Sequence, residues 1–105
     1  MVSKLAQKTK TEHHADICAE LNDLYSRKNA DYGDSFGETF RKLGVISAVT
    51  RITDEINRLQ SLCVRVAQVP DESVRDTLLD LANYAIMSVN ELERSNQKET
   101  EASIE

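Results

Sequence analysis

The residues best suited to chemistry are acids at helical spacing near the start of the last third of the chain. At about 3.6 residues per turn, a helix places Glu72, Asp76, Asp80 and Asn83 in one arc. The pairs Glu72–Asp76 and Asp76–Asp80 carry like charges four residues apart, which costs an isolated helix about 0.2–0.5 kcal/mol per pair. Mg²⁺ or an arginine from another helix would relieve that repulsion. The spacing leaves a metal site and a solvated or salt-bridged face as alternatives.

A second polar group, Arg51, Asp54, Glu55 and Arg58, follows the same periodicity. Arg51–Glu55 and Asp54–Arg58 are complementary pairs four residues apart, so on a surface they would neutralise each other. On periodicity alone, this group needs no function.

The segment KNADYG, residues 28–33, combines a cation, an aromatic ring and turn-forming residues. A turn accounts for its Asn, Asp and Gly residues, but not for Tyr32 beside Lys28. A nucleobase stacks on an aromatic ring and a phosphate binds a cation, so a small-molecule nucleotide is one candidate ligand. A simple connecting loop is the other interpretation.

Composition and motifs exclude several functional classes. The chain has 105 residues and a net charge of −5, which argues against a nucleic-acid polymer as partner. Its sequence contains no P-loop, no dinucleotide-binding glycine motif and no Ser/His/Asp or Cys/His nucleophile pattern. No apolar run approaches about 18 residues, so we expect a cytoplasmic protein without a membrane partner.

The elements that must position these residues are helices, because the chain has only three Gly and one Pro. Spacing predicts a first helix from a cap at Thr11 to about Lys28, a loop to Ser35, and a short helix closed by Gly44. Two long helices follow, separated by Pro70. Their predicted apolar stripes are Val45, Val49, Ile52, Ile56, Leu59, Cys63 and Val66, then Val74, Leu78, Leu81, Ala85, Val89 and Leu92.

The predicted fold is all-α, a small antiparallel bundle of three main helices and a short one. The stripes are too wide for two neighbours to cover, so we expect a homodimer or a higher homo-oligomer. Residues 1–10 are predicted to be a flexible arm, 11–93 the helical, ligand-binding domain and 94–105 a disordered acidic tail.

Three blocks together resemble one protein family. They are KNADYGDSF (28–36), RITDEINRL (51–59) and DESVRDTLLDLANYAIM (71–87), within a similarity that spans about residues 15–92. The family is nucleotide modification associated domain 1, common in phages and prophages and related to the all-α nucleoside triphosphate pyrophosphohydrolases, which include MazG and the dimeric dUTPases. The resemblance implies Mg²⁺-dependent hydrolysis of a nucleoside triphosphate to a monophosphate and pyrophosphate, in the host cytoplasm if the chain is phage-encoded.

The resemblance also implies roles for individual residues. The implied catalytic residues are Asp54, Glu55, Asp76 and Asp80, and the implied Mg²⁺ ligands are Glu72, Asp76 and Asp80. The residues implied to hold the triphosphate are Lys28, Arg51 and Arg58, and those implied to contact base or sugar are Asn29, Tyr32, Asn83 and Tyr84.

Two departures from the family pattern favour an alternative function. Glu55 stands where the family usually has a lysine, and the Glu-Glu-x-x-Glu motif of the pyrophosphohydrolases is absent. The alternative is a non-catalytic phage protein, a sponge that sequesters a cyclic nucleotide or a related immune signal. A helical adaptor whose polar faces are only solvated is a third possibility.

Overall fold

The computed structural model describes residues 7–64 and 71–104, with the side chains of 7–64 and 73–97. This part of the chain forms four helices and no strand, which confirms the all-α prediction. The helices are α1 (Lys10–Tyr32), α2 (Ser35–Leu43), α3 (Val45–Val64) and α4 (Asp71–Ile104). None of the helices in these ranges is both long and apolar enough to span a lipid bilayer.

The chain divides into two compact units, Met1–Gly33 and Asp34–Glu105. The first contains α1, which begins earlier than predicted. Thr9, not Thr11, is its N-cap, because the sequence Thr-x-x-Glu forms a capping box there. The Glu12 backbone N–H donates to Thr9 Oγ1 over 3.0 Å, and the Thr9 N–H donates to Glu12 Oε1 over 3.1 Å.

The carboxyl end of α1 also differs from the prediction. The helix continues past Lys28 to Tyr32 and ends at Gly33, whose φ of 68° is a conformation that glycine adopts readily. The Gly33 N–H donates to the Asn29 carbonyl over 2.8 Å, which completes the last turn. The predicted loop over Asn29–Ser35 was therefore wrong for most of its length, because Asn and Asp weaken a helix without ending it.

The second unit begins with α2, which confirms the predicted short helix closed by Gly44. Phe40 is its buried apolar side chain, and Gly44 has a φ of 80°. The Gly44 N–H donates to the Phe40 carbonyl over 2.7 Å, and Ser47 Oγ donates to the Gly44 carbonyl over 2.8 Å. These bonds fix the sharp change of direction between α2 and α3.

The centre of this unit is the packing of α3 against α4. Residues 65–70 can span at most about 25 Å, whereas a 20-residue α3 is about 30 Å long. The two helices must therefore run antiparallel. The residues of α3 that are buried or half-buried on the packed face are Ala48, Ile52, Glu55, Leu59 and Leu62. Those of α4 are Thr77, Leu81, Tyr84, Ser88 and Glu91.

Both long helices are rotated relative to the predicted stripes. Large parts of those stripes lie in solvent, and we call the following six residues the apolar side: Val45, Val49, Ile56, Leu78, Val89 and Leu92. The prediction that the α4 stripe is buried was wrong for four of its residues, which are exposed: Leu78, Ala85, Val89 and Leu92. Spacing shows which residues share a helix face, but the direction of that face depends on what packs against it.

The packing of α2 on α4 is part aromatic and part ionic. The rings of Phe36 and Tyr84 stack, with centroids 5.9 Å apart and planes inclined by 21°. Arg41 lies between two carboxylates, 3.3 Å from Asp34 Oδ2 and 3.9 Å from Glu91 Oε1. The Glu91 side chain is only 12% exposed, so Arg41 provides much of its charge compensation.

The far end of α4 extends beyond the predicted domain. The helix runs to Ile104 and includes residues 94–104, which composition assigns to a tail. The predicted break at Pro70 and most of the predicted arm, residues 1–6, lie outside the described residues. The division into arm, domain and tail stays a prediction.

Candidate functional site

Four charged residues lie on one flank of the α3–α4 pair, and we call them the polar side. They are Arg51, Arg58, Asp76 and Asp80. On each helix they are displaced from the packed face in the same rotational sense, by about 60–100° at 3.6 residues per turn. On two antiparallel helices, an equal sense of rotation leads to the same side of the pair. The fold therefore brings two cations and two acids to one flank.

The two arginines of the polar side are exposed, and neither forms an ion pair with a carboxylate that the structure describes. Neither the Arg51–Glu55 pair nor the Asp54–Arg58 pair forms an ion pair among the side chains that the structure describes. The expectation of mutual neutralisation was therefore wrong. Glu55 turns towards α4, and Asp54 is exposed farther round α3. Within the described part of the chain, the guanidinium groups of Arg51 and Arg58 therefore share this flank with Asp76 and Asp80 but form no ion pair.

Glu55 occupies the middle of the packed face of α3. Its Oε2 atom is fully buried and has no hydrogen-bond partner within the described ranges. An unsatisfied buried polar atom costs about 1–3 kcal/mol, and more when it is charged. Such an atom indicates a missing donor or cation.

The acids of α4 differ in burial. Asp76 is exposed and Asp80 is half-buried. Asp80 also has an interaction with another residue. Glu72 lies on α4, but its side chain is outside the described residues, so its predicted role as a Mg²⁺ ligand stays a prediction.

We tested whether the residues present fit a metal ion. The described side chains contain no group of three or more acids, histidines or cysteines that could hold one. Mg²⁺, however, usually binds one or two protein carboxylates together with substrate phosphates. The orphaned oxygen of Glu55 and the nearby flank of α4 with Asp80 fit that mode, in which the nucleotide supplies the remaining ligands.

The residues predicted to contact base or sugar fall into two groups. Asn83 and Tyr84 are half-buried on α4, where one ring face of Tyr84 is covered by Phe36. Phe36 is not among the predicted site residues. The sequence feature that could have indicated its contact with Tyr84 is an aromatic residue in the first turn of the short helix.

Lys28, Asn29 and Tyr32 lie on the last two turns of α1, in the unit Met1–Gly33. All three are exposed, and Tyr32 is 76% exposed. They lie together at the end of a helix, whereas the sequence predicted a loop for most of this segment. Their predicted contacts with a nucleotide stay predictions.

Comparison with known proteins bears on what this arrangement binds. No curated protein and no solved structure matches the chain. One family model, described as nucleotide modification associated domain 1, matches residues 28–92. The matched range contains every residue considered above for the polar side and for nucleotide contacts, and it covers more than half of the chain. The protein belongs to the nucleotide modification associated domain 1 family.

Proposed function

We propose that the protein binds a nucleotide on its polar side and acts as a Mg²⁺-dependent nucleoside triphosphate pyrophosphohydrolase. One observation carries the proposal. Among the side chains that the structure describes, Arg51 and Arg58 form no ion pair, and the same pair of helices buries a Glu55 oxygen that has no hydrogen-bond partner there. A nucleotide with its cation supplies what both lack, because phosphates pair with the guanidinium groups and the cation pairs with the carboxylate.

The arginines bind and orient the phosphates. A guanidinium group donates two parallel hydrogen bonds to phosphate oxygens, and these charge-assisted bonds are about twice as strong as neutral ones. Asp76 and Asp80 would repel a bare nucleotide. They are therefore compatible with this ligand only when a divalent cation is bound with it.

The proposed reaction is hydrolysis at the α-phosphorus. A water oxygen adds to that atom, the bond to the α–β bridging oxygen breaks, and pyrophosphate leaves. The proton from the water passes to a carboxylate, for which Glu55 is the candidate. Bound Mg²⁺ would neutralise phosphate charge and promote the ionisation of water. Asp54, Asp76 and Glu72 complete the acids that the proposal assigns to this chemistry.

Family membership supports a nucleotide ligand, and the proposal extends it to the activity of MazG and the dimeric dUTPases. The base or sugar is assigned to Asn83 and Tyr84, with Lys28, Asn29 and Tyr32 as further contacts. The same proposal includes a cytoplasmic location, since nucleoside triphosphates are found in the cytoplasm. It also includes a phage or prophage origin.

The test is one incubation of the full chain with Mg²⁺ and a panel of canonical, modified and cyclic nucleotides, analysed by mass spectrometry. We expect one triphosphate to be converted to its monophosphate. Asp80→Ala should abolish turnover with unchanged helicity by circular dichroism. Glu93→Ala changes an exposed acid of α4 outside the polar side and should leave turnover unchanged. No product with any triphosphate would refute the activity.

A second candidate is a sponge that sequesters a cyclic nucleotide or a related immune signal. It is favoured by the absence of a three-ligand metal group from the described side chains, and by Glu55 in place of the usual lysine. It predicts that the protein removes a nucleotide from solution and that this binding persists in EDTA. Heat denaturation of the protein should then release the nucleotide intact. Loss of binding on chelation, with product formed when Mg²⁺ returns, would exclude the sponge.

A further inference from the structure

We propose that Phe36 is a positioning residue for nucleotide recognition, because its ring holds Tyr84 so that the Tyr84 hydroxyl, not the ring face, contacts the base or sugar. This role rests on the proposed function, which assigns Tyr84 to that part of the ligand. Asp80 and Tyr84 are four residues apart on α4, so they are neighbours on the helix surface. Tyr84 therefore lies at the edge of the packed face, next to the polar side.

The ring faces of Tyr84 are poorly placed for a base to stack on them. One face is covered by Phe36, with ring centroids 5.9 Å apart and planes inclined by 21°. Tyr84 is also half-buried on the packed face of α4, which is turned towards α3. Because a stacked base needs an open ring face, a nucleotide would have to displace a neighbouring helix to stack here.

The hydroxyl end of Tyr84 is the part of the side chain that stays available. Within the described part of the chain, this hydroxyl has no hydrogen-bond partner and is not fully buried. A phenol hydroxyl both donates and accepts, so it can bind a carbonyl, amino or hydroxyl group of a nucleoside. A site that hydrogen-bonds such a group discriminates against analogues that lack it. Tyr84 would then determine specificity through one hydrogen bond.

Two contacts with α4 hold α2, and together they fix the position of Phe36. Besides the ring contact, Arg41 Nη1 lies 3.9 Å from Oε1 of Glu91, whose side chain is only 12% exposed. Tyr84 and Glu91 are seven residues apart, which is two turns along the same face of α4. Gly37 follows Phe36 directly, and a Cβ atom there would lie 2.7 Å from Glu91 Oε1. A movement of α2 that took Phe36 away from Tyr84 would therefore break these contacts as well.

Calorimetric titration of the full chain in the presence of Mg²⁺ tests this role with two kinds of ligand. One is inorganic tripolyphosphate, which has no base or sugar. The other is the set of α,β-methylene analogues of the canonical ribonucleoside and deoxyribonucleoside triphosphates. Tyr84→Phe should raise the Kd of the bound analogue about 5- to 10-fold, the effect of losing one hydrogen bond, and leave the Kd of tripolyphosphate unchanged. Phe36→Leu should raise the analogue Kd by a similar factor, because the Tyr84 ring is no longer held.

The coupling between the two residues separates positioning from a general effect on the fold. In a Tyr84→Phe background, Phe36→Leu should cause no further loss of affinity, because the hydroxyl that Phe36 positions is already gone. Phe36→Tyr retains the stacked ring and should bind the analogue like the wild type. The matched control is Leu43→Ala, which removes an apolar side chain of α2 that is 64% exposed and should leave both Kd values unchanged.

Three outcomes would overturn the role of Phe36. If Tyr84→Phe leaves the analogue Kd unchanged, the hydroxyl makes no contact, although the proposed function would stand. If the losses from Tyr84→Phe and Phe36→Leu multiply in the double variant, or extend equally to tripolyphosphate, Phe36 does not act through Tyr84. If the wild type binds no analogue, the role fails, and the turnover assay decides separately on the proposed function. If Phe36→Leu loses helicity by circular dichroism, Phe36→Met repeats the cycle.

Discussion

The two flanks of the α3–α4 pair differ in what they leave unsatisfied. Counting only the side chains that the structure describes, the polar side exposes guanidinium groups that form no ion pair, beside a buried carboxylate oxygen that receives no hydrogen bond. The apolar side exposes large aliphatic side chains with no charge between them. Charge and hydrogen-bonding capacity are the features by which the first flank would recognise a ligand, whereas the second flank offers apolar area alone.

This contrast follows from the geometry of a helix pair. A packed face between two helices uses only part of each helix surface, and the remainder divides into two flanks. A nucleotide bound to the polar side would not cover the apolar side. Variants on the apolar side should therefore leave nucleotide binding unchanged.

The largest effect is expected from Glu55→Met. It removes the orphaned carboxylate, so turnover should fall at least about 100-fold, the range expected for loss of a proton-transferring group. The free energy of unfolding without nucleotide should rise by about 1 kcal/mol or more, because a buried oxygen that has no hydrogen-bond partner among the described residues is gone. Chemical denaturation and the mass-spectrometric assay measure the two quantities. If turnover persists, Glu55 is not in the site; Glu93→Met is the exposed control.

Loss of the two arginines should weaken nucleotide binding by a smaller factor. Arg51→Ala and Arg58→Ala should each raise the nucleotide Kd about 10- to 100-fold, since a hydrogen bond to a charged group contributes about 1.5–3 kcal/mol. Calorimetric titration measures this. Arg94→Ala is the control, because Arg94 donates to Asn90 Oδ1 elsewhere on α4. Equal losses of nucleotide affinity in all three variants would show that net charge, not the polar side, determines binding. That result would contradict the comparison of the two flanks.

Gly37→Ala tests how α2 is held against α4, at a distance from the apolar side. A Cβ atom there would lie 2.5 Å from Asp34 Oδ1 and 2.7 Å from Glu91 Oε1. We expect a loss of about 1 kcal/mol in the free energy of unfolding, because crowding outweighs the better helix propensity of alanine. In a background with both Asp34→Ala and Glu91→Ala, which removes the two crowding carboxylates, the same change should stabilise. Stabilisation in both backgrounds would show that the carboxylates move aside freely.

The smallest effect is expected for a change in α1, which belongs to the unit Met1–Gly33 and not to the α3–α4 pair. The hydrogen bonds from the Thr9 backbone N–H and side chain hold the pKa of Glu12 below its usual value. The contribution of Glu12 to stability is therefore present above its unfolded pKa and is lost as the pH falls through the lowered value. The Thr9 amide chemical shift should follow this titration by NMR. A titration that persists in Glu12→Gln would assign it to another group.

Much of the fold could be predicted from the sequence. Apolar residues at spacings of three and four gave the two long helices, and Gly44 gave the end of α2. The start of α1 was misplaced because Thr9 and Thr11 are both good caps, and only the capping box with Glu12 distinguishes them. Its end was misplaced because Asn and Asp were given the weight of helix breakers.

The candidate site was less predictable. Periodicity placed Arg51 and Glu55 on neighbouring positions of one helix face, and complementary charge then predicted an ion pair. The structure instead turns Glu55 into the packed face, because the stripe of α3 is rotated towards Ala48 and Leu59. The rotation of a helix about its own axis depends on its neighbours, and no local pattern encodes it. The same rotation exposes Val49 and Ile56.

The most direct test of the account is an NMR titration of the full chain with a non-hydrolysable nucleoside triphosphate and Mg²⁺. The account predicts chemical-shift changes at the backbone amides of Arg51, Arg58 and Asp80, with none at Val49 or Leu78. Changes confined to the apolar side, or no changes with any nucleotide in the panel, would contradict it.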